Sequence, residues 1–552
     1  MKYIEGESRG QATFLPECIE DYVGADNPAR VIDAFVDSLD MEALGFGRAT
    51  PNETGRPPYD PRDLLKLFIY GYFNRIRSSR RLMQESKRNL EVMYLIGKLA
   101  PDFRTIADFR KDNAKALRGV FRAFVKLCLK MNLYNKELAA IDGTKFRAVN
   151  SKDNAYNKEI LIKKLARIDE HIAEYLKRLD LADEGDCEPN SEEPDAGQIK
   201  ALLDGLNARK DKYNGFLDEL DASGKTQILT TDPEAHRMHT KDGFNCCYNV
   251  QAAVDAGSHL IIEYEATGSN TDQGLLNEMS EKAKRALGLD TIEVVADKGY
   301  ESREDILNCV TNGVVPNVAL KYDKEERIYT LPYVENEITE KERAGTGPED
   351  ISKCLHAGVL PACYEGTPIE VELQGLNALS CFIRHSDGTV VCPMGKELGR
   401  LKARGNNTIY GSKEACRECP NRCTASKSYK TVSFGPDTEI VPVKMYGNLK
   451  HPPLSIPPDK KAGPNNHTLF RGDYPQKKVM LRIRNDKGKI KERMRTVEHP
   501  FGTVKWYSGA HYLLCKGKEK VNAEIGLSFL AYNLRRAINM VGTQKLISAI
   551  TG

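Results

Sequence analysis

Hydrophobic positions along the chain follow two rhythms. Behind an Asp60-Pro61 pair suited to an N-cap and first helical turn, Leu64, Leu65, Phe68, Ile69, Tyr72 and Phe73 recur at helical spacing. Leu90 to Leu99 reads as a compact apolar helix and Pro101 to Arg104 as a turn. Thr105 with Asp108 then makes a capping-box-like start for a long helix through Phe109, Leu117, Phe121, Phe124 and Leu127. The second rhythm is that of strands: Leu138 to Ile141, Tyr248 to Val254, Leu260 to Glu265, Thr291 to Ala296 and Val314 to Leu320, with Asp255 to Ser258 a turn and Asp272 to Leu287 a helix. Between the first two strands a heptad pattern runs through Leu161, Leu165, Ile168, Ile172, Tyr175 and Leu179. It resumes at Ile199, Leu203, Leu206, Tyr213, Leu217 and Leu220, with Lys210 as a polar interruption. This predicts an antiparallel helical hairpin over 157–222 joined by the acidic loop Asp183 to Asp195, which is too polar to bury itself. Such a hairpin either packs on its own chain or serves to dimerise.

Strand, hairpin, helix, strand, helix, strand is the order of a ribonuclease-H-like α/β fold, in which the first and fourth strands are neighbours. Both of those strands end in an aspartate, Asp142 and Asp297, at the carboxyl ends where α/β folds present functional groups. Two facing carboxylates repel unless a cation sits between them. Magnesium, or manganese, suits hard oxygen ligands while keeping waters that substrate phosphate can replace. A third carboxylate is expected on a carboxyl-terminal helix, and Glu498 supplies it, seven residues before Lys505 and so on the same helical face. Pro500 and Gly502 distort that helix. Asp232 and Asp255 read as turn residues, since they precede Pro233 and Ala256-Gly257.

Length, at 552 residues, exceeds what one core organises and calls for several domains. A 40% hydrophobic, 29% charged composition is that of a soluble globular protein. With no long apolar stretch and no basic-then-apolar leader, a cytoplasmic location without membrane contact is expected. The net charge of +3 decides nothing, but its distribution does: Asp183 to Asp195 is acidic, while Arg75 to Arg88 and Lys477 to Arg495 are basic. Arg80, Arg81, Arg104, Arg110 and Lys111 surround a short helix, turn and longer helix, which suits a helix-turn-helix on DNA. The same residues also read as the solvated face of a helical bundle. In a reducing compartment the 14 cysteines are thiols or metal ligands. Cys392, Cys416, Cys419 and Cys423 could close a structural zinc shell, with Cys354, Cys363 or Cys381 replacing one ligand; unligated buried thiols are the alternative. Trp506 and Tyr507 either stack on a splayed base or pack in a core.

The stretches Ile141-Asp142-Gly143-Thr144, Ala296-Asp297-Lys298-Gly299-Tyr300 and Val497 to Lys505 resemble the DDE transposases of bacterial insertion sequences, most of all the group numbered eleven-eighty-two. The resemblance covers nearly the whole chain: Pro101 to Arg110 is similar to the family's DNA-binding segment and Leu527 to Arg536 to its closing helix. It implies a catalytic set of Asp142, Asp297, Glu498 and Lys505, with the three carboxylates holding Mg2+ or Mn2+ for in-line attack at phosphorus and no covalent protein intermediate. It also implies double-stranded DNA partners, namely terminal inverted repeats and target DNA, and a homodimer assembled on DNA. Related transposases place tyrosine seven and arginine four residues before the glutamate. Here those positions are Lys491 and Met494, which leaves Arg493 and Arg495 as the phosphate contacts. The domain division expected is a helical DNA-binding domain at 1–135, a ribonuclease-H-like core at 136–330 with the hairpin insertion at 157–222, a Cys-rich inserted domain at 331–484, and the rest of the core at 485–552. A non-catalytic DNA-binding descendant and a nuclease without strand transfer are the competing functions.

Overall fold

A computed structural model describes residues 18–50, 57–183, 196–320, 326–374, 383–385, 390–392, 396–404, 407–418, 428–434, 440–444, 466–470 and 478–552. The chain divides into two compact units, one made of Met1–Val310, Pro316–Lys321 and Asp486–Gly552, the other of Thr311–Val315 and Tyr322–Asn485.

The first unit opens with helices α1 (Pro28–Asp37), α2 (Pro61–Phe73), α3 (Ser79–Glu85), α4 (Leu90–Leu95), α5 (Phe103–Asp112) and α6 (Ala114–Lys130). Their starts follow local chemistry: Asn27, Asp60, Asn89 and Asp102 each accept a hydrogen bond from a backbone N–H of the first turn. The long helix expected from Thr105 differs in two respects. It begins at Phe103, because Asp102 takes the capping role, and it breaks at Asn113. The Asn113 side chain accepts from the Gly47 N–H at 2.7 Å and donates to the Phe109 carbonyl at 2.8 Å, so it serves a neighbouring loop in place of an unbroken helix.

Strand β1 (Ala139–Arg147) follows, then the helices α7 (Lys158–Asp183) and α8 (Ala196–Ser223). Lys158 at the start of α7 pairs with Asp221 near the end of α8, so the two run antiparallel, with Leu161, Ile168, Ile199, Leu203 and Leu220 buried. Most of the acidic connection between them lies outside the described residues. Short strands β2 (Ala155–Tyr156) and β3 (Ile228–Leu229) pair at the foot of the hairpin.

After these come β4 (His236–Thr240), β5 (Gly243–Asp255), β6 (Ile261–Thr267), α9 (Leu276–Leu287), β7 (Ile292–Ala296), α10 (Arg303–Thr311) and β8 (Val314–Val318). They form with β1 a six-stranded mixed α/β sheet in the order β4-β5-β1-β7-β8, with β6 also on β5. β1 is antiparallel to β5 and parallel to β7. Helices α11 (Lys487–Gly502), α12 (Lys518–Val541) and α13 (Thr543–Thr551) complete the unit. α11 packs over β1 and β7, whereas α12 packs on β6, α2 and α6. Where α12 crosses β6, a Cβ on Gly526 would stand 2.2 Å from the Tyr264 hydroxyl, so only glycine allows the approach. Asp232 and Asp255 are buried anchors. Asp255 accepts from the Asn135, Lys136 and Ser258 N–H groups, and Asp232 from the Tyr248 hydroxyl and the Gly517 N–H.

The second unit contains an antiparallel sheet with Lys478–Arg484 between Glu326–Pro332 and Ile369–Gln374. A further antiparallel sheet includes Val390–Val391, Glu397–Arg404, Asn407–Gly411 and Thr431–Phe434. Among the described residues no helix is long and apolar enough to cross a membrane.

Candidate active site

The parallel register of β1 and β7 pairs Ala139 with Val294 and Ala140 with Val295. Two residues further on, the same register sets Asp142 beside Asp297. Asp297 ends its strand and caps the short helical turn Lys298–Tyr300, its carboxylate accepting the Gly299 N–H at 2.6 Å. Asp142 accepts the N–H of Gly143 at 3.0 Å. Burial pushes the Asp142 carboxyl up to about 6; Arg493 pulls it down, while Asp297 and Asp272 push it up further.

Asp272 is the residue that sequence reasoning missed. The sequence places it at the start of a helix, but α9 begins at Leu276 and Asp272 lies in the loop before it. Its Oδ1 accepts from Asn249 Nδ2 and Gln251 Nε2, each at 2.8 Å. Gln251 in turn accepts the hydroxyl of buried Tyr300. The space is full: a Cβ on Gly143 would lie 2.2 Å from Gln251 Nε2 and 2.6 Å from Asp272 Oδ1, and one on Gly299 would lie 3.5 Å from Asp272 Oδ2. Asp272 thus reaches between the glycines that follow Asp142 and Asp297. A signal for this cluster was available, since Asn249 and Gln251 alternate with Tyr248, Val250 and Ala252 along one strand and are nevertheless buried.

Arg493, on α11, brings its Nη1 to 3.2 Å from Asp142 Oδ2. Beyond Pro500 the helix widens into a π turn, Thr503–Tyr507. This turn carries Lys505 inward, where Nζ donates to Thr144 Oγ1 at 2.6 Å and to the Lys145 carbonyl at 2.7 Å. Burial lowers the Lys505 ammonium to about 8, against the opposing pull of Cys247 and Asp142. Glu498 shares α11 with Arg493, but its side chain is exposed and no hydrogen bond or ion pair joins it to another described residue. Glu498 is thus exposed while Lys505 reaches inward to β1, with the start of the π turn between them.

Among the described residues no three His, Cys, Asp or Glu side chains converge tightly enough to enclose a metal ion as they stand. The donor set nevertheless suits magnesium, which is held by one or two carboxylates and completes its shell with water and phosphate. Asp142 and Asp297 supply two such carboxylates.

The basic residues divide. Arg80, Arg81 and Arg104 are exposed, and the guanidinium groups of Arg80 and Arg104 lie 5.1 and 5.8 Å from the Phe103 ring. Lys111 is exposed near Asp108 and Asp112. Arg110 corrects the expectation of a surface contact: it is buried, donates to the Tyr72 hydroxyl and lies over Phe68. Arg495 is exposed and lines a cleft of about 650 Å³ with His259, Lys491 and Thr496. Of the cysteines, Cys392 packs against the Val390, Leu398 and Tyr410 cluster, and Cys416 accepts from the Lys430 N–H. Cys419 and Cys423 lie outside the described residues.

Two family models match this chain. Residues 17–112 match "Transposase domain (DUF772)" and residues 219–360 match "Transposase DDE domain". Both are transposase domains. They support a DDE transposase of the insertion-sequence kind, a nuclease and transposase enzyme of a family that typically uses divalent metal ions. Asp272 and Asp297 fall inside the second match, whereas Asp142 and Glu498 lie beyond both. No curated protein matches the chain. A cryo-EM structure of a piggyBac transposase synaptic complex with hairpin DNA aligns over 95% of this chain and 79% of its own, at 8% identity and a TM-score of 0.28. That likeness is too slight to carry an argument.

Proposed function

We propose that this chain binds the ends of an insertion sequence, cleaves DNA phosphodiesters there and transfers the resulting 3′ hydroxyl ends to target DNA, most like the eleven-eighty-two group. The observation that supports this reading is that the register of two parallel strands sets Asp142, within β1, beside Asp297, just past the end of β7, with Asp142 half-buried and pushed up to about 6. Such a pair is poorly stabilised by its own protein and is suited to an added cation.

Asp142 and Asp297 would hold magnesium or manganese, with Glu498 as the third carboxylate on the helix that packs over both strands. When bound, the metal ions supply the charge that activates an attacking water or 3′ hydroxyl and stabilises the leaving oxygen. Asp272, through Asn249 and Gln251, fixes the polar row of β5 against Gly143 and so holds the stretch of β1 next to Asp142. Lys505 ties the end of β1 to the π turn. Arg493, released from Asp142, is placed to meet a phosphate oxygen, and Arg495 with Lys491 extends positive charge along α11. The helices of 1–135 contact the element end through Arg80, Arg81, Arg104 and Lys111, and two copies of the chain assemble on DNA. Domains 136–330, with its 157–222 hairpin, and 485–552 make the catalytic core.

The test is cleavage and joining with a DNA carrying the element's inverted repeats and a supercoiled target. Wild-type protein with magnesium should give both nicked and joined products. Asp142→Asn, Asp297→Asn and Glu498→Gln should each abolish both while end binding persists. Nicking without joining would assign a nuclease, and full activity in any one variant would remove that residue from the ligand set.

The inserted domain, 331–484, is assigned a structural zinc held by Cys416, Cys419 and Cys423 with Cys392. Chelator-free protein should contain about one zinc per chain and lose it in the Cys416→Ser, Cys419→Ser double variant. Zinc-free wild-type protein would assign these residues as unligated thiols.

A further inference from the structure

The helix that packs over the Asp142 and Asp297 strands aims a cation at them. Along α11, Arg493, Thr496, Val497, Pro500 and Phe501 stand at i, i+3, i+4, i+7 and i+8, the spacing of one helical face. The last four are buried, and Arg493 continues their stripe to the point where its Nη1 lies 3.2 Å from Asp142 Oδ2. Glu498 stands five residues on from Arg493, about 140° around a helix of 3.6 residues per turn, and is exposed. Arg493 and Glu498 therefore cannot face Asp142 together, and in this structure the arginine does.

That contact occupies an oxygen that a metal needs. Asp142 Oδ1 already accepts the Gly143 N–H at 3.0 Å, which leaves Oδ2 as the freer ligand atom, and Oδ2 is the atom that Arg493 holds. The two side chains are 16 and 22% exposed, so solvent ions screen their attraction only in part. Lys505, the other cation near Asp142, is committed to Thr144 and the Lys145 carbonyl. Two cations at one carboxylate oxygen repel each other, so a metal and Arg493 compete for Asp142.

A phosphate offers Arg493 another partner. Its contact with Asp142 is the one ion pair described for it, so most of its N–H donors remain for a phosphate, which a guanidinium grips through two parallel hydrogen bonds. The helix also has a joint. Pro500 has no N–H to give the Thr496 carbonyl, the acceptor one turn back, and the His259 ring stands 3.5 Å from that carbonyl. Just beyond, the π turn ties Lys505 to β1 and leaves Trp506 75% exposed, so the segment that carries Arg493 and Glu498 is set off from a fixed base.

We propose that Arg493 is a place-holding cation: without DNA it occupies the Asp142 side of the metal position, and a DNA phosphate draws it away, so that metal and DNA each strengthen the binding of the other. The inference rests on the proposed function and adds to it a control, since a chain that binds its metal well only on DNA carries no armed site between encounters.

Mn2+ is titrated into the metal-free full chain, alone and with a short duplex ending in the element's inverted repeat. The free ion is followed by electron paramagnetic resonance, and the duplex's own uptake is subtracted. Without DNA, Arg493→Gln should bind Mn2+ about tenfold more tightly than wild type, and Arg493→Lys, which keeps the charge, should lie nearer wild type. The duplex should tighten Mn2+ binding by wild type about tenfold and change that by Arg493→Gln less than about twofold. The wild-type comparison needs no substitution, so it tests the coupling even where a variant unfolds. Equal or weaker Mn2+ binding by folded Arg493→Gln, or no effect of the duplex on wild type, overturns the place-holder alone. Mn2+ binding that survives both Asp142→Asn and Asp297→Asn overturns the metal ligands of the proposed function as well.

Discussion

Two groups of carboxylates lie at the same sheet, and the surroundings of one member of each, Glu265 and Asp142, push it in opposite directions. On β6, Glu263 and Glu265 are buried or nearly so but surrounded by cations: Arg118 lies 2.6 Å from Glu265 and 3.6 Å from Glu263, Arg122 lies 3.0 Å from Glu263, and Lys282 and Lys518 lie 3.0 and 3.6 Å from Glu265. Burial raises the Glu265 carboxyl, but Arg118 and Lys282 outweigh it and hold the group down at about 2. Within β1 and just past the end of β7, Asp142, Asp297 and Asp272 crowd together with Arg493 as the one ion pair described, and Asp142 rises to about 6. A set of carboxylates matched by the protein's own cations braces helices α6, α9 and α12 against the sheet. An unmatched set leaves electrostatic work for something that arrives from outside.

The largest effect that separates the two sets should be on chemistry. Asp142→Asn or Asp297→Asn removes a charged metal ligand and should cost about 4 kcal/mol or more of transition-state stabilisation, roughly a thousandfold in cleavage rate. Glu265→Gln, assayed well below its melting temperature, should stay within a few-fold of wild type. Comparable losses at both places would dissolve the distinction.

Stability should respond with the opposite sign. Glu265→Gln leaves Arg118 and Lys282 without their charged partner and should destabilise the protein by about 2 kcal/mol, seen as a lowered melting temperature. Metal-free Asp142→Asn should be neutral or stabilising, because folding disfavours the ionised Asp142. The pH windows follow from the shifts. Asp142 is raised from 3.8 to about 6, so its contribution to stability is complete below 3.8 and is lost as pH rises through 6. Glu265 is lowered from 4.5 to about 2, so its contribution is present above 4.5 and is lost as pH falls through 2. Melting curves of the two variants across these ranges check both signs, and a wild-type-like pH profile for Asp142→Asn would show that Asp142 carries no such burden.

The smallest effect expected is the metal's own. Magnesium at about ten times its dissociation constant should stabilise the wild-type protein by about 1.4 kcal/mol, with no stabilisation of Asp142→Asn or Asp297→Asn and full stabilisation of Glu265→Gln. A magnesium shift that survives in both aspartate variants would place the metal elsewhere.

Much of this contrast was legible in the residues themselves. The strand order, the aspartates after Ile141 and Ala296, and the capping residues that start α1, α2 and α4 are local properties, carried by periodicity of two or 3.6 and by side chains that reach their own backbone. Asp272 could not be singled out in this way. It meets Asn249, Gln251 and the glycines after Asp142 and Asp297 only because β5 lies against β1, a pairing between segments separated by the long hairpin insertion. Arg110 shows the same limit from the other side, since a basic residue near a helix end reads as exposed until α2 covers it with Tyr72 and Phe68.

The sequence by itself determined which segments become helix or strand, and that Asp142 and Asp297 each follow an apolar run, because those outcomes depend on near neighbours; that β1 continues past Asp142 to Arg147 came from its pairing with β5. Tertiary structure decided that the two strands lie parallel and in register, that Lys505 turns inward while Trp506 turns outward, and that some carboxylates meet cations while others meet one another. Those are facts about distance, and charge interactions take their sign and size from distances that only the folded chain sets.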